Sequence, residues 1–425
     1  MKRKWIALGL GLILALTACE TLGAKERHGA DQALGQNPEQ SVPLDQKERE
    51  AILTKMDKRI AKAENAFGLR LHRELTKTTG KTDNLILSPY SISTALALAY
   101  NGSAGQTAAE MEKVLGWKGI GLEKVNEANS QLKALLEKGA GVALNIANAV
   151  WVQNGYAFQE NYLNRVKTSY GAEARSADLG SQAFVKEING WVEQKTNGMI
   201  KGIYQNPPEA KSVLVNAIYF NGGWMDEFNP EYTKEENFSL PGGSVKKVPM
   251  MRIEKGFGYK ESKEWQAVRL PYGDGRMHML VILPRESSSL EQVHKKLWKD
   301  PSVWMDDYSF ETVKLGLPKF KAESDLKLEK VLEGLGMKSA VDPQRADFSG
   351  MIEGLPLFIG EVKHKSIVDV DEKGTKAAAV TAVGMPASAA APTEPVEMTV
   401  NRPFFFAIED RDTRTWIFMG SVNRP

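Results

Sequence analysis

The chain contains very little cysteine and histidine. Its 425 residues include one cysteine, Cys19, and five histidines. One cysteine cannot form an internal disulfide, so we expect the folded core to be stable through packing alone. The histidines do not have the spacing of metal ligands, and the sequence indicates neither a metal site nor any other cofactor. The histidines are His28, His72, His278, His294 and His364.

An excess of charge of one sign is also missing. The 55 Lys and Arg residues nearly balance 53 Asp and Glu residues, and the formal net charge is +2. No long block of basic residues is present, so nucleic-acid binding is not expected. Charged residues make up 25% and hydrophobic residues 42% of the chain, which is typical of a soluble globular protein.

The motifs of serine hydrolases are incomplete. Ser324-Asp325-Leu326-Lys327 fits the S-x-x-K pattern, but Ser244-Val245-Lys246-Lys247 fits it equally well. The S-D-N and K-T-G partners of that pattern are missing. Gly102-Ser103-Ala104-Gly105 is one residue short of a G-x-S-x-G elbow. We therefore predict that the chain is not an enzyme.

The N-terminus has the pattern of a secretory signal. Positive residues at 2–4 precede an apolar run, Trp5 to Leu16, that is too short to span a bilayer stably. Leu16-Thr17-Ala18-Cys19 resembles a bacterial lipobox, in which the cysteine is lipidated and becomes the mature N-terminus. We predict a signal peptide at 1–18 and an extracytoplasmic protein, on the extracellular face or in the periplasm, anchored to a bacterial membrane through lipid on Cys19. The alternative is a plain secretory signal with an incidental cysteine.

A polar segment follows the predicted lipidation site. Residues 19–44 contain Gly, Gln and Pro and almost no apolar periodicity, which predicts a flexible tether. We find no internal repeat and no linker-like break after Leu44, so residues 45–425 are predicted to form one large mixed α+β domain. Asp45 is predicted to cap a helix that continues through Met56 and Ile60 toward Leu75. A second helix is predicted near Tyr90. Leu85-Ile86-Leu87 precedes this helix, and buried strands are predicted at 213–220, 277–283 and 313–317.

A segment of small residues near the C-terminus is the least ordinary part of the chain. A charged turn containing Gly374 leads into small and β-branched residues, and prolines interrupt the chain beyond it. Alternate residues form one face that is small enough to be buried in a strand. The prolines favour an exposed loop instead. A segment that can be either loop or strand is a candidate switch. The small face consists of Thr375, Ala377, Ala379, Thr381, Val383 and Met385.

From about Ile60 to its last residue, the chain resembles the serpin family through six motifs in the family's order. The resemblance implies the serpin fold, with a large central mixed β-sheet, two smaller sheets, about eight or nine helices and an exposed reactive-centre loop at about 372–397. The motifs are Asn84–Ser93, Val215–Trp224, Val248–Met251, His364 eight residues before Glu372, Met398–Ile408 and Phe418–Gly420.

The resemblance also implies a function. Serpins are suicide inhibitors that offer the reactive-centre loop to a serine protease as a substrate. The protease forms an acyl-enzyme, and the cleaved loop then inserts as a new strand in the central sheet before water releases the protease. The free energy comes from a strained sheet that lacks one strand. A non-inhibitory serpin that is only cleaved or that binds a partner remains an alternative, as does an inhibitor of a cysteine protease.

Three groups of residues are implied by the same resemblance, and the chain departs from the family at Lys376, where many inhibitory serpins carry Glu. Alternation places Lys376 toward solvent, so we expect its charge to be tolerated. An ion pair between Lys319 and Glu372 is expected. The groups are a hinge (Glu372, Gly374, Thr375, Ala377, Ala379 and Thr381), a shutter (Ser88, Ser91, Asn216 and His364) and a breach (Trp224, Lys319 and Glu372).

The usual family length places the scissile bond at Ser388-Ala389. The stretch from Ala389 to Arg402 looks several residues longer than in many serpins, so cleavage at Met385, Ala387, Ala389 or Ala390 stays open. Most of these residues are small and favour an elastase-like or subtilisin-like target. No Arg or Lys lies between Val380 and Met398, which disfavours a trypsin-like one. We expect the inhibitor to be a monomer.

Overall fold

The computed structural model describes residues 44–80, 82–137, 142–375 and 394–425. In these ranges no helix is both long enough and apolar enough to cross a membrane. The predictions for the signal peptide, Cys19 and nearly all of the tether lie outside the described residues. So do Ala377, Ala379, Thr381 and the Ser388-Ala389 bond.

The described ranges contain nine α-helices and fifteen β-strands. The helices are α1 Gln46–Lys55, α2 Arg59–Thr78, α3 Pro89–Tyr100, α4 Gly105–Leu115, α5 Leu122–Glu137, α6 Glu160–Tyr170, α7 Gln182–Lys195, α8 Leu290–Lys299 and α9 Glu329–Leu335. The strands are β1 Leu85–Leu87, β2 Val142–Gln153, β3 Glu173–Ala177, β4 Ser212–Gly223, β5 Lys234–Ser239, β6 Val245–Glu261, β7 Trp265–Tyr272, β8 Met277–Pro284, β9 Ser309–Pro318, β10 Phe320–Lys327, β11 Glu361–Asp371, β12 Gly374–Thr375, β13 Val396–Thr399, β14 Phe404–Asp410 and β15 Trp416–Val422.

Six strands form a mixed sheet in the order β10-β11-β12-β4-β2-β3. The pairing between β11 and β4 is parallel and direct from Glu361–Val213 to Ile367–Tyr219. Past that point the two-residue strand β12 lies between them and is antiparallel to both. Strands β4 and β11 therefore pair directly along most of their length and are separated by β12 at one end.

The remaining nine strands form one sheet in the order β1-β15-β14-β8-β7-β6-β9-β13, with β5 on β6. The 17-residue strand β6 joins its two parts. It pairs with β9 over Met250–Tyr259 but with β7 only over Gly258–Glu261. The two smaller sheets implied by the resemblance are thus continuous through β6. The strands predicted at 213–220, 277–283 and 313–317 are all present as β4, β8 and β9.

The first helical segment is not one helix, and that prediction is wrong. Asp45 does cap α1, accepting a hydrogen bond from the Glu48 backbone N–H at 2.7 Å. Met56 then adopts an extended conformation with ψ of 135°. The Asp57 carboxylate accepts the Arg59 backbone N–H at 3.0 Å, which favours a new helix start there. Apolar periodicity across 52–75 cannot detect this break, because partly buried Ile52 and Leu53 of α1 pack against the same core as the buried residues of α2.

Helix α3 places two of the predicted site residues under the mixed sheet. All twelve of its residues are buried, in keeping with a helix that is mostly apolar and contains no charged residue. It contacts β2 and β4 of the mixed sheet and β15 of the other sheet. Ser88 caps its start, where Ser88 Oγ accepts the Ser91 backbone N–H at 3.1 Å. Ser88 and Ser91 therefore lie at the N-terminus of a rigid, buried helix.

Helix α1 is fixed to the domain by one buried arginine. Arg49, 6% exposed, donates to Asp410 Oδ1 at 2.9 Å, to Asp412 Oδ2 at 2.6 Å and to the Leu135 carbonyl at 2.9 Å. The Arg49→Met variant leaves the buried Asp410 carboxylate without its cation, and we expect the free energy of unfolding to fall by about 3 kcal/mol. Urea unfolding measures it. Arg59→Met, which removes an exposed arginine, is the control and should leave the transition unchanged.

Candidate functional site

The predicted hinge starts as a tight hairpin between β11 and β12. Asp371 pairs with Gly374 and Val370 with Thr375, so Glu372 and Lys373 form the turn. On its other side Gly374 pairs with Gly223 and Thr375 with Gly222 of β4. Thr375 is fully buried, as alternation predicted. Two hinge residues thus already occupy a strand position between β4 and β11.

Gly374 can only be glycine in this arrangement. Its φ is +143°, a region that side chains with a Cβ rarely adopt. A Cβ on Gly374 would lie 2.2 Å from the Gly222 carbonyl oxygen and 2.8 Å from Gly223 Cα. Both contacts are with backbone, so no side-chain movement can relieve them. The chain can therefore fold back into the sheet only because glycine has no Cβ at this position.

Trp224 holds the hairpin turn from the end of β4. Its backbone N–H donates to the Lys373 carbonyl at 2.9 Å, and its indole Nε1–H donates to the Asp371 carbonyl at 3.0 Å. The indole ring stacks on Tyr272, with ring centroids 4.3 Å apart and planes 11° from parallel. Trp224 is 5% exposed, so its contribution includes the burial of a large aromatic surface. It positions the hinge directly.

Glu372 is tied to the domain by a charged cluster. Lys319 Nζ donates to Glu372 Oε2 at 2.7 Å, so the expected ion pair is present. Thr233 Oγ1 donates to Glu372 Oε1 at 2.9 Å. Burial by itself would raise the pKa of Glu372, but the hydrogen bonds from Lys319, from its own backbone N–H and from Thr233 together outweigh burial and lower it. Glu372 is therefore ionised at neutral pH, and the Lys319 contact is a charge-assisted hydrogen bond.

The four predicted shutter residues form one hydrogen-bonded cluster where β4 and β11 pair directly. Asn216 on β4 is the cross-strand neighbour of His364 on β11. The Ser88 backbone N–H donates to His364 Nε2 at 3.3 Å, so the ring proton lies on Nδ1 and is donated to Asn216 Oδ1. The Asn216 amide donates to the Ser91 carbonyl at 3.0 Å, to Ser91 Oγ and to Asn148 Oδ1 on β2. A strand that enters between β4 and β11 has to break the contact between Asn216 and His364.

His364 is fully buried, and burial lowers its pKa to about 3. Between pH 6.5 and about 3 the unfolded chain binds a proton at this histidine and the folded chain does not. Its contribution to stability is therefore complete above pH 6.5 and is lost as the pH falls. In urea unfolding, we expect wild type and His364→Gln to differ by about 2 kcal/mol less at pH 5 than at pH 7. Other titrating groups are common to both proteins and cancel. A pH-independent difference would contradict this assignment.

Three contacts of the site were missed by the sequence interpretation: Tyr272, Thr233 and Asn148. Tyr272 and Thr233 belong to segments far from the hinge in sequence. Asn148 is the cross-strand neighbour of Asn216, which becomes visible only when the register of β2 and β4 is known. No motif among those recognised identifies them. A polar residue inside an apolar strand, as in Asn145 to Asn148, is the one local signal.

The serine hydrolase pattern does not form a site. Ser324 is buried, and its Oγ accepts the Ile86 backbone N–H at 2.9 Å. Lys327 pairs with Glu361 at 3.0 Å. Ser324 therefore binds the backbone of β1, and Lys327 forms an ion pair with Glu361 instead of contacting Ser324. Across the described ranges no three acidic, His or Cys side chains converge as metal ligands.

Comparisons with known proteins identify the family of this chain. The family model described as Serpin (serine protease inhibitor) matches residues 62–425. An uncharacterized serpin-like protein of Thermococcus kodakarensis is 40% identical over 382 residues, covering 87% of this chain and 86% of that protein. Leukocyte elastase inhibitor A of Mus musculus is 34% identical over 383 residues, covering 86% of this chain and 99% of that protein.

Solved structures give the same result. The native state of the thermophilic serpin tengpin superposes with a TM-score of 0.79 at 33% identity, covering 87% of this chain and 95% of tengpin. Human thyroxine-binding globulin, complexed with thyroxine, has a TM-score of 0.78 at 27% identity, covering 88% of this chain and 99% of that protein. The predicted fold class is confirmed, and this chain belongs to the serpin family.

Proposed function

We propose that this protein is a suicide inhibitor of serine endopeptidases that traps the acyl-enzyme by inserting its cleaved loop between β4 and β11. The observation that carries the proposal is β12. Gly374 and Thr375 already pair with both neighbouring strands in the orientation that an inserted loop would take. Membership of a family described as serine protease inhibitors supports the same activity.

The length of β4 fits a longer insertion. Thr375 pairs with Gly222, and β4 begins at Ser212, so 222 − 212 leaves ten further positions along the strand. Residues 376–385 would fill them, extending the new strand by about 33 Å at about 3.3 Å per residue. The proposed scissile bond at Ser388-Ala389 lies three residues beyond residue 385. A protease attached there would be carried from one end of the sheet to the other.

We propose an elastase-like or subtilisin-like target because the residues around the proposed bond are small. One relative, at 34% identity, bears the name leukocyte elastase inhibitor A, which supports this class. The test is incubation with elastase and subtilisin, with trypsin as the matched comparison. We expect an SDS-stable complex with the first two, and mass spectrometry of the released C-terminal peptide identifies the bond. Quantitative cleavage by all three without complex would overturn the proposal.

We also propose that Cys19 carries the lipid anchor, from the lipobox-like sequence Leu16-Thr17-Ala18-Cys19. Cells that express the full chain should incorporate labelled palmitate into the protein. The Cys19→Ser variant should lose the label and leave the membrane fraction, because the thiol that accepts the lipid is gone. Ala18→Gly keeps a small residue before the cysteine and is the control. Unlabelled wild-type protein would show that the signal is a plain secretory one.

A further inference from the structure

Tyr272 connects the nine-stranded sheet to the hinge. It is the last residue of β7, a strand of the nine-stranded sheet, and an isolated β-bridge joins it to Trp224. Its hydroxyl lies 2.7 Å from Thr375 Oγ1 in the mixed sheet. Both side chains are fully buried. This buried hydroxyl pair, Tyr272 with Thr375, is called the hinge latch below.

The tyrosine ring is held in place on two sides. It stacks on Trp224, and it meets the Phe220 ring edge-on with centroids 5.0 Å apart. Trp224 in turn binds the carbonyls of Asp371 and Lys373 in the hairpin. The same aromatic group therefore fixes the hairpin turn and aims the Tyr272 hydroxyl at the strand that follows it.

We infer that Tyr272 is a positioning residue for loop insertion: it keeps Thr375 paired with β4 and β11 before the loop is cleaved. The inference rests on the proposed inhibitory function. Insertion races against deacylation, and its earliest step is the ordering of hinge residues, which costs conformational entropy before further pairing repays it. With Thr375 already held, insertion after cleavage proceeds from an existing strand.

Removal of the Tyr272 hydroxyl leaves Thr375 Oγ1 buried without this partner. A buried hydroxyl that loses its hydrogen bond is destabilised relative to water, so the hinge opens more often. We expect the opening of β12 in the Tyr272→Phe variant to rise by about fivefold. The number of inhibitor molecules consumed per trapped protease rises in the same direction, because more acyl-enzymes deacylate before insertion.

The chain offers a matched control on the same sheet. Tyr219 on β4 is 2% exposed, and among the described residues its hydroxyl has no hydrogen-bond partner. Tyr219→Phe thus removes a buried hydroxyl without removing a contact to the hinge. Thr375→Val removes the other half of the latch at nearly constant volume. The double variant of Tyr272→Phe and Thr375→Val tests whether the two hydroxyls act as one unit.

The experiment combines two readouts on the intact protein. Amide hydrogen exchange of the peptide that covers Asp371–Thr375 reports hinge opening without any protease. The stoichiometry of inhibition with elastase reports insertion. We expect both to rise in Tyr272→Phe and in Thr375→Val, to rise less in the double variant because it leaves no unpaired hydroxyl buried, and to be unchanged in Tyr219→Phe. Unchanged exchange in Tyr272→Phe, or an equal change in Tyr219→Phe, would overturn the latch.

The stoichiometry of inhibition separates a positioning role of Tyr272 from a purely structural one. If Tyr272→Phe lowers the unfolding temperature but leaves the stoichiometry of inhibition unchanged, or lowers that stoichiometry, Tyr272 does not assist insertion and the inference is wrong. Wild-type protein that forms no complex with any protease would instead defeat the proposed function. In that case the exchange experiment still decides whether the latch holds the hinge.

Discussion

Replacing Thr375 with arginine is expected to convert the protein from an inhibitor into a substrate. Thr375 is fully buried between β4 and β11 and hydrogen-bonded to Tyr272. A guanidinium at this position has no carboxylate among the contacts described for Thr375, and burying an unpaired charge costs several kcal/mol. Insertion slows while deacylation continues. We expect the stoichiometry of inhibition with elastase to rise by at least about tenfold, measured as SDS-stable complex against cleaved inhibitor.

Lys373→Arg is the matched control for this experiment. It also places a guanidinium in the hairpin, two residues away, but Lys373 is exposed in the turn. It should trap protease as well as wild type does. Undiminished trapping by the Thr375→Arg variant would mean that the loop does not enter the sheet through this position, and the insertion mechanism would have to be abandoned.

Replacing Gly374 with valine is expected to expel β12 from the sheet. The new side chain would meet the Gly222 carbonyl and Gly223 Cα, and the φ of +143° is unfavourable for any β-branched residue. The strand has to leave its place between β4 and β11, which uncovers the end of the sheet and removes the start of insertion. We expect rapid cleavage of the loop by elastase with almost no complex, together with fast hydrogen exchange over Asp371–Thr375.

Gly242→Ala separates strain from steric exclusion. Gly242 also has a positive φ, +89°, but a Cβ there would have no neighbour within 4 Å. This variant introduces backbone strain in an exposed turn, far from any steric clash, and should inhibit as well as wild type does. If Gly374→Val still forms complex as efficiently as Gly242→Ala, then β12 is not the entry point of the loop.

Much of the secondary structure could be predicted from the sequence, because strand alternation and helix capping depend on residues that are close together in the chain. Alternation correctly placed Thr375 on a buried face, and Asp45 correctly marked the start of α1. The break between α1 and α2 at Met56 was not predicted, because apolar periodicity continues through it. The expected Lys319–Glu372 pair came from family resemblance rather than from any spacing, since 53 residues separate the two.

Contacts between sheets could not be predicted in the same way. The Tyr272–Thr375 hydroxyl pair joins residues 103 positions apart on different sheets. Its existence depends on the exact end of β7 and on the stacking of Trp224 against Tyr272. The cluster around Asn216 likewise requires the register of β2, β4 and β11 to align Asn148 and His364 on either side of it. Such registers are set by the packing of the whole domain.

The central claim is that the loop after Thr375 becomes a strand between β4 and β11 when it is cut. The most direct measurement is thermal unfolding of the protein before and after a protease cleaves within residues 376–393. Completing the sheet should release the stored strain and raise the unfolding temperature by roughly 20 °C or more. An unfolding temperature that stays the same or falls after cleavage would contradict the insertion mechanism.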